Sequence, residues 1–493
     1  MTIPRWVLLG VVPTFLATNC ALAVVGIVTG HFEYFWLSFL IGTPFLVGLV
    51  IAAATRSRVI ITFALASLVS GWLTPLGFFL QRDNYQYSGF SAVKDFDFSA
   101  FRFIGYYVPV IVAYYVILLV AATPILLNPA RYRIVESGSG AFGRLASLIP
   151  AEGSRRNRGL MRLLLVTLVA LFASINWWMY DHGIGLTGIN PPRLPFHLSG
   201  TLYYSARFVF PVILTYLFTR FRPSSADLYL VIAYACFASL TSVSRTVLVL
   251  LFLPIFVIGF VEKRYLFSTI AGLIVGIMYP VIEFARNVVY LIQDGMSTRN
   301  LEFSLPAVIL NSASEYRFGG FMAGPLALVA RVGGGQDVAL AAQYFNELEG
   351  PFRAFLRLYV FDFWDMAREA QTRMFAWAPD TLGWATGDGG FFAHLLLVSS
   401  GSWVVLLLVA VYAGLMLALA NATYVRFVCM GVPSALVLLY AILFCVFFFA
   451  LSIPLWTNVY LGAAVIASRS RALERVFFTT ARRPAAMLAP LGP

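Results

Sequence analysis

Apolar stretches about as long as a membrane is thick recur along the chain. They are separated by short breaks rich in arginine, glycine or proline. The apolar residues run continuously and do not alternate with polar ones, so spanning strands of a barrel are excluded. A backbone crossing hydrocarbon must then satisfy its hydrogen bonds within each segment, as a helix does. The pattern predicts twelve spans, near 6–28, 35–54, 59–80, 103–127, 163–179, 206–220, 226–243, 246–262, 266–284, 393–419, 427–449 and 452–467. Ser242, Ser244 and Arg245 interrupt the stretch 226–262 and predict a turn there, and Pro454 and Asn458 divide 427–467 into two. The first stretch, after Arg5, has no small-residue cleavage site and reads as a retained span.

Composition agrees with this pattern. The 493 residues are 60% hydrophobic and 11% charged, where a soluble domain is about 25% charged. Mean hydropathy is +0.84. The expected fold is an all-α polytopic membrane bundle. Residues 1–284 would form about nine spans, 285–392 a large outer loop with short helices, 393–468 the last spans, and 469–493 a basic tail.

The net charge of +12 does not point to nucleic acid, because the basic residues lie in short loops and at the C-terminus. Lys94 and Lys263 are the only lysines, a bias expected of a GC-rich bacterial genome. Arg5, Arg56, Arg58, Arg131 to Arg162, Arg220, Arg222, Lys263, Arg264, Arg426 and the tail from Arg469 to Arg483 all fall on one side of the predicted topology. That is the positive-inside pattern. It places both termini in the cytoplasm and the segments 81–102, 180–205 and 285–392 outside. His31, His182, His197 and His394 follow to the outer side or its interface. The basic stretch 129–162 reads as a flexible cytoplasmic connector. No Walker A sequence occurs, which disfavours an ATP-driven pump, and no internal repeat of 20–50 residues is visible. Cys20, Cys236, Cys429 and Cys445 lie in apolar stretches without ligand spacing, so no metal or other cofactor is expected.

Four places carry candidate chemistry. In the outer loop, Pro191, Pro192 and Pro195 stiffen the backbone, and Arg193, His197 and Arg207 supply its polar reach. It reads equally as a rigid cap on the bundle or as the lip of a substrate groove. Arg245 lies between two apolar helices, where it either snorkels to headgroups or grips phosphate oxygens with its planar fork. The large segment carries Arg286, expected just past the ninth span, and Glu315 and Arg317 in a Glu-Tyr-Arg-Phe-Gly-Gly stretch. A helix predicted after Pro351 sets Arg353 and Arg357 on one face among Phe361, Trp364, Phe375 and Trp377. Such a surface suits either a membrane interface or sugar rings. His394 opens the tenth predicted span, and it, Glu315 or Asp181 is a candidate general base.

The segments GLTGINPPRLPFHLSG, SVSRTVLVLLFLPI and FFAHLLLVSSGSW, with the large outer segment before the last, resemble the bacterial oligosaccharide repeat-unit polymerases of the Wzy type. These serve O-antigen, capsule and exopolysaccharide pathways. The resemblance covers most of the chain in layout, through short and loose motifs. It implies a GT-C-like membrane glycosyltransferase of the bacterial inner membrane. Such an enzyme joins glycan carried on undecaprenyl pyrophosphate at the periplasmic face, without metal or nucleotide sugar. Its partners would be that lipid-linked oligosaccharide and membrane lipid, and a chain-length regulator is left open. Arg245 takes the place of the arginine in a Ser-Arg motif, and His394 that of a histidine in the related O-antigen ligases. Leu395 stands where ligases commonly carry asparagine. Arg286, Arg317, Arg193 and His197 complete the expected substrate-binding set. The competing readings are a lipid-linked oligosaccharide flippase or transporter and an O-antigen ligase.

Overall fold

The structure, a computed structural model, describes residues 7–73, 100–127, 155–184, 195, 198–220, 223–261, 263–297, 390–399, 401–430, 432–449 and 454–470. Its regular elements there are helices. They are α1 (Val12–Thr29), α2 (Glu33–Thr55), α3 (Arg58–Leu68), α4 (Ala100–Leu127), α5 (Arg155–Asp181), α6 (Leu198–Tyr204) and α7 (Phe210–Arg220). They continue with α8 (Ser225–Ser242), α9 (Arg245–Val261), α10 (Tyr265–Ser297), α11 (Gly390–Ser399), α12 (Trp403–Cys429), α13 (Ser434–Phe449) and α14 (Pro454–Arg469). Seven stretches are long and apolar enough to cross a membrane: Leu9–Thr29, Phe35–Thr55, Ile104–Leu127, Gly159–Asp181, Thr201–Thr219, Ser225–Ser242 and Trp403–Cys429. Arg58–Trp72, Val247–Val261, Tyr265–Tyr279 and Ala435–Cys445 are shorter apolar helices. The chain is a helical, membrane-integral protein.

Several helix boundaries differ from the expectation: α5 begins at Arg155, inside the expected connector, α6 lies within the expected outer loop, and two differences bear on the site. The tenth expected span, 393–419, is broken: α11 ends at Ser399, Gly401 takes a left-handed φ of 76°, and the Ser402 hydroxyl accepts from Val405 N–H to start α12. Helix α12 then runs to Cys429, into the segment given to the eleventh span. At the other boundary α10 does not stop near 284 but continues to Ser297. Arg286 is therefore inside a helix, not in a loop behind one.

The buried side chains form two clusters. The first joins α1 to α4 with α11 to α14, around Phe45, Phe63, Tyr107, Tyr114, Phe392 and Phe444. Its helices approach closely where glycine faces a ring or another helix. A Cβ on Gly48 would overlap the Tyr114 ring, and one on Gly71 the Phe45 ring. Gly414 would meet Val120 at 2.7 Å and the Ile117 carbonyl at 3.1 Å, which is why α4 and α12 can pack so tightly. The second cluster joins α5 with α7 to α10 around Phe172, Phe210, Phe218, Leu251 and Phe252. Helix α13 belongs to both, giving Ala435, Leu439 and Leu443 to the second and Val437, Tyr440, Ala441 and Phe444 to the first.

One end of the bundle is tied by basic residues. The Arg426 guanidinium donates to the Ser468 carbonyl, and Ser57 donates to Asn421 at 2.6 Å beside Arg56 and Arg58. Arg264 donates to the Pro223 carbonyl at 2.8 Å. Arg162 pairs with Asp227 at 3.4 Å, and Asp227 closes a capping box with Ser224 at the start of α8. This is the basic end; the turns at Gly30, at His182 and at Val243 mark the opposite end.

Candidate functional site

Helices α9 and α10 form a hairpin through Lys263 and Arg264 at the basic end. Arg245 is the first residue of α9, about 24 Å from the Val261 end at 1.5 Å per residue. Arg286 on α10 lies about 32 Å from Tyr265 by the same rise. The backbone thus brings both arginines to the far end of one antiparallel pair, about a turn and a half apart in height. Their side chains lie outside the described residues.

The turn into Arg245 carries backbone strain. Val243 ends α8 with φ 48° and ψ 39°, and its N–H is held by the Leu240 and Ser239 carbonyls. Left-handed backbone favours glycine, and a β-branched residue there is an outlier. Arg56 and Lys263 are the other non-glycine residues with positive φ among the described residues, and both are unbranched at Cβ. Strain of this kind gathers at functional sites.

The other expected residues separate. Asp181 closes α5, its side chain 72% exposed and 3.7 Å from His182. The His182 ring stacks on Trp178 at 4.4 Å, with Nδ1 2.9 Å from the Trp178 carbonyl oxygen. Asp181 shares an end of the bundle with Arg245, but solvent reaches it as at an ordinary helix terminus. His394 is carried by α11, which packs on α12, α13 and α4 in the first cluster, whereas the α9–α10 hairpin belongs to the second. Its side chain is outside the described residues, as are Arg193, His197, Glu315 and Arg317.

The structure adds a residue that the sequence reading left at a loop edge. Arg207 is 4% exposed. It sits in a π-helical turn, Ser205–Val209, between α6 and α7. Pro211 explains that turn. It has no N–H to give the carbonyl four residues back, which is that of Arg207, and its ring crowds the same carbonyl. Widening the helix by one residue relieves both, and such turns recur at functional sites. The guanidinium carbon lies 3.2 Å from the centre of the Tyr203 ring. Tyr234 of α8 packs on Phe210, three residues on from Arg207, with ring centres 4.8 Å apart. Its hydroxyl accepts from Asn176 Nδ2 of α5 at 2.9 Å, and the same nitrogen donates to the Phe172 carbonyl at 2.8 Å. By helical rise Arg207 is about 13 Å from Leu198 and about 20 Å from Arg220, well inside the bundle.

Arg207 and Asp227 are the charged residues buried among the described ones. Asp227 is accounted for by its cap and by Arg162. An arginine at membrane depth costs about 3 kcal/mol on the insertion scale, and such residues face a bundle interior where they bind or pair. The sequence signal was one charge in an otherwise apolar run, four residues before a proline. No group of His, Cys, Asp and Glu able to hold a metal occurs among the described residues. In comparisons with known proteins, no family model, curated protein or solved structure matches the chain.

Proposed function

We propose that the protein is a glycosyltransferase of the bacterial inner membrane. It polymerises oligosaccharide repeat units carried on undecaprenyl pyrophosphate, at the periplasmic face. In this reading the helices make twelve crossings in a GT-C-like arrangement, with both termini in the cytoplasm. The basic end of the bundle faces the cytoplasm, as the positive-inside rule requires. The turn at Val243 and the far end of the α9–α10 hairpin then face the periplasm.

The observation that carries the reading is the placement of Arg245 and Arg286 at that far end, next to the strained Val243. Two guanidinium groups at the height of lipid headgroups suit a diphosphate, whose oxygens they can hold bidentately. A diphosphate so held is a good leaving group, because the charge that develops as the glycosidic bond breaks is already met by donors. The hydroxyl of an acceptor sugar attacks the anomeric carbon and passes its proton to a base, for which His394, Glu315 and Asp181 are the candidates. The energy is stored in the donor.

The test is the double replacement Arg245→Ala with Arg286→Ala, expressed in cells lacking the chromosomal copy. Long polysaccharide should disappear, and single lipid-linked units should accumulate outside the cytoplasmic membrane. Polymer of normal length and amount from the double variant would remove the basis for this reading. Accumulation on the cytoplasmic side would favour a flippase instead.

A further inference from the structure

Helices α12 and α14 pack side by side, run in the same direction and finish together at the basic end, where Arg426 Nε donates to the Ser468 carbonyl. Each carries an exposed apolar stripe that ends in an exposed arginine. On α12, Leu415 and Leu419 lead at helical spacing to Arg426; on α14, Gly462 and Ile466 lead to Arg469. Leu415 is about 16 Å from the level of Arg426 by helical rise, roughly half the thickness of a hydrocarbon core. Gly462 leaves room along the second stripe, since a Cβ added there would meet nothing within 4 Å. The arginines also differ from those at the same end of the second cluster. There Arg162 pairs with Asp227, and Arg264 donates to the Pro223 carbonyl. Among the described residues no carboxylate pairs with Arg426 or Arg469. Ser468 takes the Arg426 Nε, which fixes the guanidinium and leaves its terminal N–H groups for another acceptor. Arg469 follows Ser468 directly, so two like charges are neighbours, and an anion between them offsets their repulsion.

We propose that Arg426 and Arg469 bind the phosphate of an anionic phospholipid, one of whose acyl chains lies along the stripes of α12 and α14. The arginines call for an anion, and the apolar surface leading away from them calls for a hydrocarbon chain. An anionic phospholipid carries both, one directly beneath the other. The tie to Ser468 holds the Arg426 fork in place before the lipid arrives, so less side-chain freedom is lost on binding than for a loose surface arginine. Under the topology proposed above the lipid belongs to the cytoplasmic leaflet; the site itself does not depend on the reaction.

The experiment titrates the full chain in detergent with dioleoyl phosphatidylglycerol, dioleoyl phosphatidylcholine and inorganic phosphate, and reads bound molecules by native mass spectrometry. Wild type should hold phosphatidylglycerol about tenfold more tightly than phosphatidylcholine. Arg426→Gln with Arg469→Gln should remove that preference. Gly462→Leu should lose part of the phosphatidylglycerol binding and stay folded, because the new side chain enters open space. Lys263→Gln, which deletes an exposed charge at the same end beside the second cluster, should leave the preference unchanged. A preference kept by the double arginine variant, or lost equally in Lys263→Gln, would overturn the site and leave only a diffuse basic field. Inorganic phosphate held as tightly as phosphatidylglycerol, with the same dependence on the two arginines, would overturn the lipid. If the double variant does not fold, Arg469→Gln and Gly462→Leu decide, since Arg469 pairs with no carboxylate among the described residues and Gly462 faces open space. Lipid binding with this dependence, in a protein that forms no polymer in cells, would uphold the site and end the polymerase reading.

Discussion

The two clusters bury polar groups in different ways. In the first, neutral pairs tie the helices together: Trp72 donates to Ser38 at 2.7 Å, Tyr115 to the Pro44 carbonyl at 2.7 Å, and Ser57 to Asn421 at 2.6 Å, while Asn19 Oδ1, Thr43 Oγ1 and Ser67 Oγ are buried without a hydrogen-bond partner among the described residues. Each such pair satisfies its own groups and fixes one helix against another, with glycines letting the backbones approach. In the second cluster a full charge is held at depth, on a turn that Pro211 has loosened, and a β-branched residue is held in left-handed backbone at the nearby end. The first cluster uses its polar groups to specify packing. The second holds a buried charge at depth beside a strained turn, the kind of place where membrane proteins put candidate sites. Helix α13, shared by both, makes the first cluster the frame against which the second is positioned.

The largest expected effect comes from removing the charge. Arg207→Met keeps most of the side-chain volume and deletes the guanidinium. Activity in a lipid-linked donor assay should fall by about a hundredfold, the scale seen when a donor to developing charge is lost. Thermal stability in detergent should fall by less than activity does, because methionine keeps the apolar packing of the side chain against the Tyr203 ring. Loss of activity in step with loss of folded protein would make Arg207 part of the frame and erase the contrast.

Gly48→Val tests the frame. The added carbons would collide with the wholly buried Tyr114 ring, which also lies against the Phe45 ring, tilted, with centres 4.9 Å apart. Overpacking of this kind costs about 1–3 kcal/mol. The amount of monodisperse protein after heating should drop, while the activity of each surviving molecule stays near wild type. A variant with full stability and lost activity would move the working site into the first cluster.

Asn421→Ala is a milder test of the same frame. It takes away the acceptor of the Ser57 hydroxyl, which also caps α3 by accepting from Ile60 N–H at 3.2 Å. Leaving a buried hydroxyl without its acceptor costs about 1–3 kcal/mol. The loss should be read as a lower midpoint of thermal unfolding, and Asn421→Ala combined with Ser57→Gly, which removes the orphaned hydroxyl but keeps a tolerated cap residue, should recover part of it.

Hydropathy made the fold class and most helix positions legible, because membrane spans are written as uninterrupted apolar length. The turn at Val243 was legible too, since Ser242, Ser244 and Arg245 break such a run. The break at Gly401 was not. Ser399, Ser400, Gly401 and Ser402 are small residues that membrane helices tolerate, so a window average passes over them. What decides there is one left-handed φ and a serine cap, and neither has a hydropathy. Arg207 fell at the edge of an expected span and was read as part of the outer loop. Its burial follows from α5 and α9 packing against the π turn, contacts between segments far apart in sequence. Height along a helix can be counted from sequence; which helix lies beside which cannot.

The smallest expected effect is at Val243, and its sign separates the two kinds of design. Replacing a strained residue by glycine removes the clash of Cβ with left-handed backbone, about 1–2 kcal/mol, against an entropic cost of about 0.5–1 kcal/mol for the freer unfolded chain. The 7% exposed side chain also gives up its contacts, so Val243→Gly should change thermal stability by no more than about 1 kcal/mol in either direction. Activity should fall further than that, because the turn then no longer holds the first residue of α9 in one orientation and Arg245 loses its aim. Val243→Ala keeps a Cβ at the same φ, and should retain activity while losing a little stability. If glycine and alanine behave alike in both measurements, the strained turn is only a helix end, and the second cluster's claim to be the working half rests on Arg207 alone.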